Sequence, residues 1–271
     1  MVHTAQTRRF GGLDRLFGAQ SAQQLQQAHV VVAGIGGVGS WCVETLARSG
    51  VGNLCLVDMD HVSESNINRQ LPALDSTLGR SKIEVMAERI KGINPQCQLR
   101  LVDDFVDADN AEVFFQGATQ VVIDCTDMLS AKVALVLAAQ KHQHKRLLVC
   151  GAAGGKRNPL SLREGDLSLA THDALLARLR QQLRKHHGWP AGQRKSNQRP
   201  AKMHVNAFWF AEETIMPPAW AQDDDPLQGL SCSGYGSAMS MTASMGLLAA
   251  QRAIDWLLAN PAAQATCTSG K

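Results

Sequence analysis

The run Val30-Val31-Val32-Ala33 passes without a break into Gly34-Ile35-Gly36-Gly37-Val38-Gly39. No other stretch constrains the fold as much. Three β-branched residues and an alanine favour a buried strand. The glycines demand a turn, and a helical pattern starts at once. Strand, glycine turn and helix leave bare backbone N–H groups at a helix start, where unpaired donors and helix dipole both favour phosphate. Gly34 suits the turn, Gly36 and Gly37 admit a close phosphate, and Gly39 lets helix and strand approach. Alone, the motif does not choose among nucleotides.

The alternation of strands and helices continues to about residue 150. Strands are expected near 29–34, 53–58, 97–103, 120–125 and 146–150, and helices over 38–49, 80–93, 109–117 and 130–143. Gly50 and Gly52 end the first of these helices and Asn94-Pro95 the second. The pattern predicts an α/β fold: a doubly wound, mostly parallel Rossmann-like sheet with a C-terminal α+β extension. Residues 1–28 read as an N-terminal arm and helix, 29–155 as the nucleotide-binding domain, and 156–260 as an extension of the same fold. Within the extension, an amphipathic helix over 167–187, an exposed loop over 188–202, a strand near 203–210 and a helix over 237–258 are expected.

Composition narrows the class. With 271 residues and 45% hydrophobic content, the chain buries one large core, with or without an appended lobe. A net charge of +3 does not by itself predict a polyanionic partner. None of the seven cysteines shows C-x-x-C spacing, so they read as buried thiols in a reducing cytoplasm, not as disulfides or zinc ligands. The N-terminus has no secretory signal pattern. The segment 237–258 is long enough to cross a bilayer, but Arg252 and Asp255 interrupt it. A buried helix is the expectation, with peripheral or single-span membrane association the lesser alternative.

Strand two ends in Leu56-Val57-Asp58-Met59-Asp60. An acid at this point accepts hydrogen bonds from a ribose, whether the nucleotide is NAD or ATP; otherwise Asp58 caps a loop. Asn66-Ile67-Asn68-Arg69-Gln70 follows, and Lys82 opens the next helix. The two phosphates of NAD are managed by a glycine turn. A triphosphate needs fixed cations, which planar arginine and the lysine point charge supply. Arg69 and Lys82 would each pass for surface charges; together with Asn66 and the glycine turn they read as phosphate ligands, with Asp60 and Gln70 beside them. Asp124-Cys125-Thr126-Asp127 ends a strand on the same sheet edge. Asp127 is the candidate ligand for Mg²⁺, and Asp124 reads as a structural or capping acid.

The ordered set G-I-G-G-V-G, L-V-D-M-D, N-I-N-R-Q, lysine and D-C-T-D resembles the ubiquitin-activating-type adenylyltransferases. The resemblance implies a homodimer in which a carboxylate attacks the α-phosphate of ATP, giving an acyl adenylate and pyrophosphate. It further implies that Asp58 holds the ribose, that Asn66, Arg69 and Lys82 hold phosphates, and that Asp127 holds magnesium. An N-terminal arginine from the partner, Arg15 or else Arg9, would complete the site, although the family's usual spacing is not kept. Within that family, R-F-G-G-L-D-R-L-F-G, V-D-D-F-V, G-A-A-G-G-K-R-N-P and C-S-G-Y-G-S-A are similar to the bacterial tRNA threonylcarbamoyladenosine dehydratases. This likeness implies ATP-dependent activation of a threonyl carboxylate on adenosine 37 of tRNA, then ring closure by a nitrogen of the same side chain.

Independent of the likeness, Arg178, Arg180, Arg184, Lys185, Arg194 and Lys195 fall in a stretch without acids, which suits tRNA phosphates or equally a solvated face. DNA is not expected. Cys232, in a small-residue loop, reads as a structural contact more than a nucleophile; the loop leaves open a monovalent cation and a sulfur-handling role with a cysteine-desulfurase and sulfur-acceptor pair. Three other readings stand beside the dehydratase. An activator of a ubiquitin-like sulfur carrier usually bears a four-cysteine zinc ribbon, which this chain cannot build. A non-catalytic scaffold would not need Arg69, Lys82 and Asp127. A dehydrogenase lacks hydride-handling residues here.

Overall fold

A computed structural model describes residues 2–142, 145–190, 200–216 and 235–259. Two helices, α1 (Val2–Phe17) and α2 (Ser21–Gln27), precede the first strand, β1 (His29–Ala33). The order continues α3 (Gly37–Arg48), β2 (Asn53–Val57), α4 (Lys82–Ile93), β3 (Gln98–Val102), β4 (Val121–Asp124), α5 (Leu129–Lys141) and β5 (Arg146–Cys150). It ends with β6 (Leu162–Asp166), α6 (Ala174–His186), β7 (Asn206–Phe210) and α7 (Met239–Leu258).

The seven strands form one sheet in the order β3-β2-β1-β4-β5-β7-β6. All pairings are parallel except β6 with β7. The expected doubly wound α/β fold is therefore present, and its strand order switches direction between the parallel neighbours β1 and β4. Alternation along each strand divides the core. Val30, Val32, Leu54 and Leu56 face α3, α4 and α7, whereas Val31, Val57, Val122 and Val149 face α5 and α6. The central strands carry apolar residues on both faces because helices cover both.

Several local expectations need correction. Residues 109–117 do not make an α-helix but a short 3-10 turn, Ala111–Phe115, because Asp107 accepts the N–H groups of Asp109 and Asn110 and starts a tighter turn. The helix expected from 167 begins only at Ala174, where Asp173 accepts the Leu176 N–H as N-cap. The strand expected from 203 starts at Asn206. Strand β6 had no counterpart in the sequence reading. For 237–258, no helix among the described residues is long and apolar enough to cross a membrane. Helix α7 instead buries Met241, Met245, Ala249 and Ile254 against the sheet and α3.

Candidate active site

At the switch point between β1 and β4, beyond the carboxyl ends of the strands, lies a cavity of about 320 Å³. Open α/β sheets bind ligands at this place. Its floor is the glycine turn. Gly34 sits at φ +84°, and a Cβ there would lie 2.9 Å from the Cys125 carbonyl, so only glycine lets β1 and β4 end this close together. The first N–H groups of α3, at Gly37 and Val38, border the cavity without helical acceptors. Gly37 also serves packing: a Cβ would stand 2.8 Å from Thr242 Cγ2 of α7. Gly36 lines the cavity, whereas Gly39 does not.

Asp58 is tied to this floor. Its Oδ2 accepts the Ile35 N–H at 2.6 Å and its Oδ1 accepts the Asp60 N–H at 2.8 Å. The loop-capping role is thus realised, and Asp58 also borders the cavity. Burial raises the Asp58 carboxyl above its ordinary value, with the nearby Lys82 ammonium partly offsetting the rise. Lys82 itself is buried, its Nζ 2.7 Å from Asp60 Oδ2, while the Asp60 side chain is 58% exposed. Asp60 thereby holds a cation at the cavity wall that incoming phosphates would compete for.

Arg69 and Gln70 complete this wall. The Arg69 guanidinium donates to the Ser65 carbonyl at 2.7 Å and to Asn68 Oδ1 at 2.8 Å. Its own carbonyl accepts from Trp41 Nε1 and Thr242 Oγ1, each at 3.2 Å, so α3 and α7 fix the backbone beneath it. Asn66 is buried and accepts the Ser63 N–H through Oδ1. Gln70 Oε1 is buried with no hydrogen-bond partner. Such an orphan in a polar cavity belongs with a ligand, and the amide can turn to donate.

The opposite wall carries Asp127, exposed and making no hydrogen bond or ion pair among the described residues. One free carboxylate at the lip suits a Mg²⁺ that takes its other ligands from phosphates and water. The loop behind it is braced by Asp124. Fully buried, Asp124 accepts the Thr126 N–H and hydroxyl through Oδ1, at 3.0 and 2.7 Å, and the Lys132 ammonium through Oδ2 at 3.1 Å. Lys132 also donates to the Cys150 carbonyl at 2.7 Å. Cys125 borders the cavity with its Sγ 3.9 Å from that of Cys150. The Cys150 contact pulls the Cys125 thiol down, but hydrogen bonding with Cys42 and burial outweigh it and push the thiol well above its ordinary value. A protonated thiol is a poor nucleophile.

Some contributors escaped the sequence reading. Phe105 and Met128 border the cavity at 46% and 43% exposure, apolar surface that a base would cover. On the β5 side, Asp173 accepts the Ala152 N–H at 2.8 Å, and burial raises its carboxyl. The Lys156 ammonium is caged by the carbonyls of His172 and Glu212 and the Thr214 hydroxyl. Lys132 had a signal: it is the lone cation in the apolar start of α5. Phe105 follows β3 at the carboxyl edge, within the V-D-D-F-V motif, but nothing in that motif assigned the ring to the nucleotide.

Other candidates lie elsewhere. Arg15 is exposed on α1 and Arg9 donates to the Ile93 carbonyl; neither borders the cavity of its own chain. Arg178 and Lys185 are exposed on α6. Arg180 is half-buried and donates to the carbonyls of Leu167 and Ala170, so its geometry is that of a loop brace and not of a free phosphate contact. Arg184 donates to the Pro190 carbonyl. Arg194, Lys195 and Cys232 lie outside the described residues.

A crevice at the switch point of a parallel sheet, cationic on one wall and acidic at its lip, defines a nucleotide-binding α/β protein. The comparisons narrow this class. The chain belongs to the ThiF family, whose model matches residues 12–268. It is 39% identical over 251 residues to a tRNA threonylcarbamoyladenosine dehydratase of Haemophilus influenzae, covering 92% of this chain and 93% of the relative. It is 36% identical over 271 residues to the Escherichia coli protein of the same name, covering 97% and 98%. The crystal structure of the E. coli dehydratase, TcdA, in complex with ATP superposes with a TM-score of 0.82 at 36% identity, over 95% of this chain and 97% of that one.

Proposed function

We propose that this chain is an ATP-dependent dehydratase that cyclises N6-threonylcarbamoyladenosine at position 37 of tRNA. The single observation that carries this reading is one cavity that joins the glycine turn, Arg69, Lys82 and Asp127. The near-full-length likeness to dehydratases supports the choice of substrate.

The helix start at Gly37 and Val38, with Arg69 and Lys82, binds the triphosphate and spreads its charge over fixed donors. Asp58 and the exposed ring of Phe105 orient the ribose and base. A threonyl carboxylate oxygen then bonds to the α-phosphorus as the bond to the pyrophosphate oxygen breaks. In the second half, a nitrogen of the same side chain attacks the activated carbonyl carbon, loses its proton, and AMP leaves. The sum is loss of one water from the nucleoside, with ATP converted to AMP and pyrophosphate. Asp127 would hold Mg²⁺, which neutralises departing phosphate charge when bound. Ring closure is intramolecular, so no protein thiol is needed. A homodimer in which Arg15 of the second copy reaches the phosphates belongs to the same proposal, as does a cytoplasmic location.

Incubation with ATP, Mg²⁺ and threonylcarbamoylated tRNA should give a nucleoside lighter by one water, with AMP in equal amount. An unchanged nucleoside would overturn the reading. Mixing an Arg15→Ala chain with an Asp127→Ala chain should restore activity in mixed dimers if the arginine acts across the interface; no recovery sinks the dimer assignment alone.

A further inference from the structure

A second concavity lies at the opposite end of the strands. It encloses about 620 Å³ where β5 and β7 begin, bordered by Lys145, Arg146, Lys202, Trp189 and Trp256. His187 and His204 sit at its rim, and no Asp or Glu borders it among the described residues. Its polar chemistry is therefore one-signed and anion-seeking. The two indoles supply ring faces: Trp189 is fixed by donating Nε1–H to the Met203 carbonyl at 3.1 Å, and the Arg146 guanidinium lies 5.3 Å from the Trp256 ring centroid. Cations around aromatic faces are the chemistry that binds looped or single-stranded nucleic acid, with phosphates on the charges and bases on the rings.

Helix α6 connects this place to the nucleotide cavity. At its start, Asp173 binds Ala152 and Leu175 borders the first cavity; just past its end, His187 and Trp189 border the second. Thirteen residues of helix span about 20 Å. The helix contains no acid, and Arg178 and Lys185 are exposed along it. A stacked strand advances about 3.4 Å per nucleotide, so about six nucleotides cover the distance.

We propose that the second concavity binds a nucleotide of the tRNA remote from the modified residue, with its phosphate on Arg146, Lys145 and Lys202 and its base against Trp189. The proposal rests on the reading of tRNA as substrate. The RNA would then run from the reaction cavity along α6 to a second anchor that fixes which arm is presented.

The test uses the full-length protein with an Arg146→Glu/Lys202→Glu double substitution, and Lys202→Glu alone as a milder variant, since Lys202 is exposed and makes no bond among the described residues. Calorimetric ATP affinity and melting temperature report that the fold is intact. The double variant should bind tRNA at least about tenfold more weakly, with the salt slope shallower by about 1.4 for two lost phosphate contacts. The single variant should lose about threefold. Turnover of a five-nucleotide RNA carrying the modified adenosine, too short to reach the second anchor, should match the unsubstituted protein. Unchanged tRNA affinity and salt slope in the variants would overturn the proposal and leave the dehydratase reading standing. Failure of the unsubstituted protein to act on either RNA would instead remove the dehydratase reading.

Discussion

Lys132 Nζ and Asp124 Oδ2 lie 3.1 Å apart with neither side chain exposed to solvent. The pair joins the start of α5 to the end of β4, and the Lys132 bond to the Cys150 carbonyl adds the end of β5. Three elements that carry the cavity are thus held by one ammonium group. Asp124 in turn binds Thr126, next to Asp127, so the buried pair sets where the exposed acid stands.

Lys132→Met should cost about 3–5 kcal/mol of stability, because it leaves a carboxylate buried without its partner. Lys132→Met combined with Asp124→Leu should cost clearly less than the sum of the single changes. Denaturant titrations of the three variants give the coupling, and simple additivity would show that the pair does not act as a unit.

Asp127→Ala should leave the melting temperature unchanged, since the side chain is exposed and unbonded, while lowering turnover about 100- to 1000-fold. Single-turnover formation of AMP at saturating Mg²⁺ measures this. Loss of fold in parallel with activity would contradict the placement at the lip.

Phe105→Ala should raise the KM for ATP about tenfold with little change in kcat, as expected for a ring that stacks on a base in ground and transition states alike. Nucleotide titrations under steady-state conditions separate the two constants. A fall in kcat at constant KM would place the ring elsewhere.

Gly37→Ala should destabilise by about 1–3 kcal/mol by driving a methyl group into Thr242. Adding Thr242→Ser should recover at least half of the loss, since it removes Cγ2 and keeps the hydroxyl that donates to the Arg69 carbonyl. Thermal melts of both variants decide this.

Acid stability should depend on Glu44. Burial alone would raise its carboxyl, but hydrogen bonds from Arg89 and Arg48 outweigh it and hold the group below 4.5. A depressed folded-state pKa means that the unfolded chain takes up the proton first as pH falls. The contribution is therefore full above about 4.5 and lost as pH drops through the lower folded value. Glu44→Gln should be about 1–2 kcal/mol less stable near neutrality, with the gap closing in acid. Urea melts across that range check the sign.

Legibility differed by element for physical reasons. Strands β1, β2, β4 and β5 were recognisable within a residue or two because buried parallel strands are short apolar runs between turn residues. Strand β3, Gln-Leu-Arg-Leu-Val at the sheet edge, is largely exposed and was placed by the alternation of strands with helices. Strand β6, Leu-Arg-Glu-Gly-Asp, has no such run; it exists because its backbone pairs with β7 at the sheet edge. The ring of Asp58, Arg69, Lys82 and Asp127 could be listed from spacing, and all four border one cavity. That the Asp58 oxygens already hold the glycine turn, and that Lys82 is paired with Asp60, could not be read from order alone. Thr242 is more than 100 residues from its partner Arg69, and a helix rich in alanine and methionine reads only as core.

By itself, the sequence determined the strand–turn–helix start, the parallel sheet and the residue types at its carboxyl edge. These are local: backbone preference, hydrophobic period and motif spacing act over a few residues. Tertiary structure alone decided that Lys132 meets Asp124, that α7 braces Arg69, and that Arg146, Trp189 and Trp256 share a hollow at the far sheet edge. Such contacts join residues from 8 to 173 positions apart, and only strand order and helix packing bring them within bonding distance.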